Sequence, residues 1–385
     1  MNCFGIDALS GLPIEVVFNE RIEQVRPVAA DIAGDLMLAP GFVDIQVNGF
    51  AGVDFNDPHV SVSDVEKAIA TILATGTTRC LPTVITGGPD EMRACLRSLR
   101  RAQREIPDGA VIAGFHVEGP YIAAEDGPRG AHPLRWVRPP DFDEYRRWQE
   151  ATDGGVRLVT ISPHWPQAPG WIARVAADGV AVSIGHTNAS ADQITAAVDA
   201  GATLSTHLGN GAHAVMRRHP NYIWEQLAED RLSASFIVDG IHLGKAFLKT
   251  ALRAKTIERS VLVTDASSPA GASPGRYRLG EQEADLTVDG RVVLAGTDRL
   301  AGSALRMNDG IALLTTIAGI SIQDSVRMAT VNPASIIRLG HRMKGLQPGE
   351  LADVVGFRLK AGKVEIESVW VSGTEKATLR KSQKY

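Results

Sequence analysis

Val180-Ala181-Val182-Ser183-Ile184-Gly185-His186 is a short β-branched run, Ala191–Ala200 follows with the composition and length of a helix, and Ala202-Thr203-Leu204-Ser205-Thr206-His207-Leu208 repeats the run. Strand, helix and strand in that order form a parallel βα unit, and both strands here end on a histidine. Outward from this unit the rhythm persists. Further strand-like runs occur at Phe42–Asn48, Thr77–Ile85, Ala110–Glu118, Val156–Ser162, Ser233–Asp239 and Ser260–Asp265. Helical patterns lie between them at Val65–Ala74, Asp90–Glu105, Pro169–Ala177 and Leu243–Ala254. Eight strands alternating with helices predict an α/β protein built on a (β/α)8 TIM barrel. A doubly wound open sheet is the alternative; it is disfavoured because no G-x-G-x-x-G turn follows the first strand.

Both chain ends read differently. Ile14–Phe18 and Asp35–Leu38 are short strand-like stretches, closed by the punctuation Ala39-Pro40-Gly41. Strand-like text returns at Asp353–Phe357 and Val364–Val371. These are expected to pair as a small β-sandwich domain of residues 1–40 plus 346–385, with the barrel over 41–345. Tyr277–Val293, with its Asp289-Gly290 turn, reads as a β-hairpin insertion. The last dozen residues, with Lys376, Arg380, Lys381 and Lys384, read as a solvated tail.

Composition narrows the partners. Hydrophobic residues make up 44% and charged residues 22% of the 385, which excludes a disordered chain. A net charge of −4 without a basic run argues against nucleic acid and anionic membrane surfaces. Three cysteines (Cys3, Cys80, Cys95) without metal-type spacing fit a reducing, cytoplasmic setting. The first residues show no signal-peptide pattern, and no 18-residue apolar run occurs, so export and membrane insertion are not expected.

Eight of the ten histidines fall between His116 and His242. A TIM barrel carries its catalytic groups at the C-terminal strand ends. Those ends read Asp44/Gln46/Asn48, His116/Glu118, His164, His186, His207, Asp239/His242 and Asp265. Glu118, His186 and His207 offer one carboxylate oxygen and two imidazole nitrogens from three strands, a set that suits a divalent ion with an open position for water. Each histidine alone could equally be a hydrogen-bonded core residue. Asp265 could exchange a proton with a water at such an ion, or merely cap the segment after it.

The strings Ala39-Pro40-Gly41-Phe42-Val43-Asp44, His116-Val117-Glu118-Gly119-Pro120, Gly130-Ala131-His132, Gly185-His186-Thr187, Thr206-His207-Leu208-Gly209-Asn210, Asp239-Gly240-Ile241-His242 and Leu262-Val263-Thr264-Asp265-Ala266 carry a resemblance. In colinear order, they are similar to the motif series of the N-acetylglucosamine-6-phosphate deacetylase family, within the amidohydrolase superfamily. Leu300-Ala301-Gly302-Ser303, Val331-Asn332-Pro333-Ala334 and the Lys344–Asp353 segment continue the likeness.

The resemblance implies metal binding by Glu118, His186 and His207, with Asp265 as general base and acid. It implies that His132 stabilises the oxyanion and that His242, Asn210 and Gly211 contact the sugar. It places Arg218 near the family's phosphate-binding arginine, although an Arg-Arg-His loop is also what a solvated surface looks like. The implied reaction is metal-dependent hydrolysis of the acetamido group of N-acetylglucosamine 6-phosphate. Alternatives are the same chemistry on another or unphosphorylated N-acyl compound, and a silent sugar-phosphate sensor. A homodimer is implied by analogy.

Three departures stand out. Gln46 and Asn48 replace the His-x-His of two-metal members, so one divalent ion is expected, zinc first, with Fe2+, Co2+ or Mn2+ as alternatives. Gly209-Asn210-Gly211-Ala212-His213 lacks the family's aromatic. Tyr222 and Trp224 stand where small residues are usual, and could stack on a sugar or belong to the core or a subunit interface; His164 stands where a carboxylate is usual, as a substrate contact or a weak second metal ligand.

Overall fold

A computed structural model describes residues 1–378. Eight parallel strands make the central sheet, namely β1 Phe42–Val47, β2 Thr77–Ile85, β3 Phe115–Glu118, β4 Val156–Ile161, β5 Ala181–Ile184, β6 Ala202–Ser205, β7 Ser233–Ile237 and β8 Ser260–Val263, neighbours in chain order. The sheet closes on itself just beyond β8, where Asp265 N donates to Gln46 O (3.0 Å) and Asn48 N to Ala266 O (2.7 Å). Each strand leads to an outer helix: α1 Val62–Leu73, α2 Pro89–Glu105, α3 Phe142–Thr152, α4 Ala168–Ala177, α5 Ala191–Asp199, α6 Tyr222–Ala228, α7 Lys245–Lys255 and α8 Met307–Leu313. This is the expected TIM barrel.

The alternating side chains sort by face. Phe42, Cys80, Val117, Val159, Val182, Phe236 and Leu262 point to the helices and join the largest apolar cluster. Val43, Ile45, Leu81, Leu158, Leu204 and Val261 form a second cluster that fills the barrel's interior. Above it runs a hydroxyl belt. His116 Nε2 meets Thr160 Oγ1 at 2.8 Å, Thr160 meets Thr206 at 2.7 Å, and Thr206 meets Ser183 at 2.5 Å. His116 therefore belongs to the packed interior, where burial lowers it to about 4 and keeps it neutral.

Predicted and observed strands agree closely where the β-branched run is unbroken, as in β2. β3 starts five residues later than expected, because Gly109–Val111 forms a 3-10 turn and Gly114 adopts φ 150°. Helix α3 had no counterpart in the sequence pattern: charged Asp143, Glu144, Arg146 and Arg147 thin its apolar stripe to Tyr145, Trp148 and Thr152.

Asn2–Asp7, Pro13–Phe18, Ile22–Pro27, Met37–Pro40, Val354–Lys360, Lys363–Val371 and Thr374–Thr378 form one seven-stranded mixed sheet from both chain ends. One face, with Ala39, Val355, Phe357 and Ile366, joins the main core; the other, with Val16, Phe18, Leu38 and Val354, is covered by the sheet's own curl. The rings of Phe18 and Trp370, from strands far apart in the sheet order, are 5.8 Å apart. Lys376 lies in the last strand and pairs with Asp108 at 2.7 Å; Arg380, Lys381 and Lys384 lie outside the described residues. The insertion is a three-stranded meander, Gly275–Leu279, Gln282–Leu286 and Val292–Leu294, one strand more than a hairpin. Among the described residues no helix is long and apolar enough to cross a membrane.

Candidate active site

The C-terminal strand ends surround a cavity of about 450 Å³. Glu118 ends β3, His186 follows β5, His207 follows β6 and Asp265 follows β8. His186, His207 and Asp265 have φ of 49°, 28° and 49°, a left-handed conformation that residues with a Cβ adopt at a cost. The strand thus turns sharply at three of the four positions where a polar side chain must face the centre.

All four side chains are buried. Glu118 Oε1 lies 3.2 Å from His186 Nε2 and 2.9 Å from His207 Nε2. Ligand atoms of these three residues all lie within 4.8 Å of one another, forming the one such group of histidine and acidic side chains among the described residues. The donor set fits a divalent ion on three grounds. It mixes one oxygen with two imidazole nitrogens. His186 Nδ1 donates to Pro128 O at 2.8 Å, which fixes the ring and leaves Nε2 as the ligand atom. Two carboxylates, Glu118 and Asp265, accept from the same Gln46 amide at 3.0 Å each, so the centre holds more anionic charge than its own groups neutralise.

The titration behaviour follows from the packing. Burial acts to raise the Glu118 carboxyl, but the adjoining His186 and His207 rings hold it well below the usual carboxylate range. Asp265 moves the other way, pushed up to about 6 by burial and by the Glu118 charge. Asn48 Nδ2 donates to Asp265 at 2.7 Å and orients it. His132 is buried and lowered to about 3, first by burial and then by the neighbouring histidines, so it stays neutral. Its Nδ1 meets Thr86 Oγ1 at 2.8 Å, and its ring lies 4.4 Å from that of His186.

The register of β1 with β2 shifts between Asp44 and Val47. Val43 and Ile45 face the barrel interior, whereas Gln46 and Asn48 face the cavity as N–H donors. Asp44 is turned out of the cavity and accepts from Thr264 Oγ1 (2.5 Å) and Gln46 N (3.3 Å).

His242, Asn210 and Gly211 line the cavity as expected. Asp239 accepts from His242 Nδ1 at 2.6 Å and directs the other ring nitrogen away from itself. Gly211 has φ 55°, and a Cβ there would stand 2.7 Å from His186 Nδ1. Gly209 has φ 102°, and a Cβ there would meet the Phe247 ring at 2.6 Å. The Phe247 ring of α7 thus packs against this loop from outside the cavity lining.

Other expectations are not brought to the centre. Arg218 is exposed on its loop and outside the cavity lining. His164 is bonded to Ser162 Oγ at 2.6 Å, His213 bridges Tyr222 and Glu125, and Tyr222 is buried; none lines the cavity. Trp224 is 48% exposed, away from it. Sequence reasoning missed Thr86, a strand-end residue just after β2 that meets His132, and Arg299 and Gln282, whose proximity to the His132 loop depends on how the insertion folds back.

Strand-end ligands on a closed barrel, with a carboxylate beside them, define an amidohydrolase. Residues 37–381 match the family model described as the Amidohydrolase family. The N-acetylglucosamine-6-phosphate deacetylase of Bos taurus is 35% identical over 373 residues, covering 93% of this chain and 88% of its own. That of Bacillus subtilis is 31% identical over 345 residues, covering 89% and 86%. The crystal structure of the Mycobacterium smegmatis N-acetyl-D-glucosamine-6-phosphate deacetylase superimposes with a TM-score of 0.88 at 31% identity, covering 97% of this chain and 99% of that one. The chain belongs to the N-acetylglucosamine-6-phosphate deacetylase family of amidohydrolases.

Proposed function

We propose that this enzyme hydrolyses the acetamido group of N-acetylglucosamine 6-phosphate to glucosamine 6-phosphate and acetate. The observation that carries the reading is Glu118 Oε1 within 3.2 Å of both imidazole Nε2 atoms, with Asp265 sharing the Gln46 amide beside them. Glu118, His186 and His207 hold one divalent ion, with zinc first among the candidates and Fe2+, Co2+ or Mn2+ behind it. When bound, such an ion supplies Lewis acidity towards water and towards an amide carbonyl.

Asp265 does the proton work. Its carboxylate, held by Asn48 and Gln46 beside the ligand atoms, takes the proton of the attacking water and then returns it to the departing nitrogen. Neutral His132, with Nδ1 accepting from the Thr86 hydroxyl, keeps a proton on Nε2 and donates it as a hydrogen bond to the amide oxygen as charge develops there. His242, oriented by Asp239, and Asn210 with the Gly211 amide hold the sugar.

Arg218 lies outside the cavity of its own chain, so in this reading the phosphate is met in a homodimer, by the arginine loop of a second copy. The same observation favours a second reading, in which the acetamido substrate carries no phosphate. The setting is cytoplasmic, with a small amino sugar as partner and no nucleic acid or membrane. The test is acetate release from N-acetylhexosamines with and without the 6-phosphate, alongside metal content and the Arg218→Ala variant. A loss in Arg218→Ala confined to phosphorylated substrates supports the first reading; equal losses on both favour the second. No acetate from any of them, with metal bound, ends both.

A further inference from the structure

The loop that carries His132 has three successive carbonyls, and each accepts from a side chain. Gly130 O accepts from Arg299 Nη1 at 3.1 Å, Ala131 O from Gln282 Nε2 at 2.6 Å, and His132 O from Arg129 Nη1 at 2.9 Å. Two of these donors come from the meander, about 150 to 170 residues further along the chain. Arg299 also holds Asp126 at 2.7 Å, so one guanidinium grips the loop at two points. The Ala131 side chain packs on the meander's own small core of Leu279, Ala284 and Leu286.

Arg299 is itself fixed by backbone. Its carbonyl accepts from Leu294 N at 2.9 Å, and Ala301 N donates to Val292 O at 3.0 Å, which makes it an extension of the meander. Four residues on, Ser303 N donates to Asp265 O at 2.9 Å and Ser303 Oγ to Thr264 O at 2.6 Å. One short segment, 299–303, therefore touches the His132 loop at one end and the Asp265 backbone at the other. Thr86 orients the imidazole ring, but it cannot set the height of the loop backbone that carries it.

We propose that the meander, through Arg299 and Gln282, is a positioning element that sets the His132 imidazole against Asp265. This rests on the role of His132 proposed above. An oxyanion donor acts only when it stands at hydrogen-bond distance from the developing charge, and a displacement of about 1 Å can cost on the order of a hundredfold in rate.

The test uses full-length, metal-loaded protein with N-acetylglucosamine 6-phosphate and N-acetylglucosamine. Arg299→Ala is expected to lower kcat roughly tenfold to a hundredfold on whichever substrates turn over, with KM within about threefold. Arg299→Lys restores part of the loss, and Gln282→Ala gives a smaller one of the same kind. Metal content and Tm stay at wild-type values. In a His132→Ala background, Arg299→Ala removes no further kcat beyond about twofold, since a positioning residue has nothing left to position. Fully multiplicative losses in that background overturn the proposal. So does a loss confined to KM for the phosphorylated substrate, which would make Arg299 a phosphate contact. A His132→Ala enzyme with wild-type kcat would remove the role of His132 and the clamp with it, whereas failure of the clamp alone leaves His132→Ala impaired.

Discussion

Two groups of buried charges sit at opposite ends of the barrel, and they are built on opposite rules. At the N-terminal end Asp353 accepts from Arg79 Nε (2.7 Å) and Nη2 (3.1 Å), from Ser372 N (2.7 Å), and lies 3.3 Å from Arg342 Nε. The remaining guanidinium nitrogens reach Ala110 O, Gly41 O and Asp353 O. One carboxylate is surrounded by two cations. At the C-terminal end two carboxylates, Glu118 and Asp265, accept from one neutral amide beside the His186 and His207 rings. The donor set there fits a divalent cation. An excess of cations ties the terminal sheet to the barrel; an excess of carboxylates marks the site.

The contrast can be broken most directly at the C-terminal end. Asp265→Asn is expected to lower acetate release on the order of a thousandfold while metal content stays at wild-type level, because the amide cannot take a proton from water. Near-normal turnover in that variant would show that proton transfer lies elsewhere. At the N-terminal end, Asp353→Ala leaves two buried guanidinium groups unpaired and is expected to cost about 3–5 kcal/mol in urea unfolding. The surviving folded protein keeps the metal affinity and KM of wild type; a parallel loss of metal would join the two ends that the structure keeps apart.

A third measurement sharpens the comparison through pH. Asp44 is raised to about 7, chiefly by burial, against an ordinary value of 3.8. The folded state holds that proton more tightly than the unfolded one, so the protonated carboxyl stabilises the fold fully below about pH 4. This contribution is lost as pH rises and is gone above about pH 7. The Tm of wild type should therefore fall relative to Asp44→Asn across pH 4 to 7 and run parallel above; a constant difference would mean the carboxyl is ionised throughout. The smallest effect belongs to the partly exposed pair Lys376–Asp108, where Lys376→Ala should cost less than about 1 kcal/mol by the same urea titration.

Legibility in the sequence followed the range of the interaction. β2 was readable because Thr77–Ile85 is a continuous run, and Glu118, His186, His207 and Asp265 were readable because a strand end is a local event. Strand Asn2–Asp7 was not, since Gly5 and Asp7 dilute its alternation and its pairing with Met37–Pro40 crosses thirty residues of chain. Asp44 was read with Gln46 and Asn48 as one polar edge, and a register shift separated them. Arg218 stood out by motif and lies outside the cavity, whereas Arg299 carries no motif and lines it. Position relative to a strand end can be counted along the chain; position relative to a folded-back insertion cannot.

The closure of the barrel has a consequence for synthesis. Gln46 and Asp265 are 219 residues apart, and the bonds that join their strands are also those that bring the Asp265 carboxylate beside the candidate ligands. A nascent chain that has released only its first 260 residues holds every metal-binding side chain yet cannot perform the proposed reaction. The side chains of the candidate ligand set thus emerge from the ribosome before Asp265, and before the Gln282 and Arg299 side chains that hold the His132 loop.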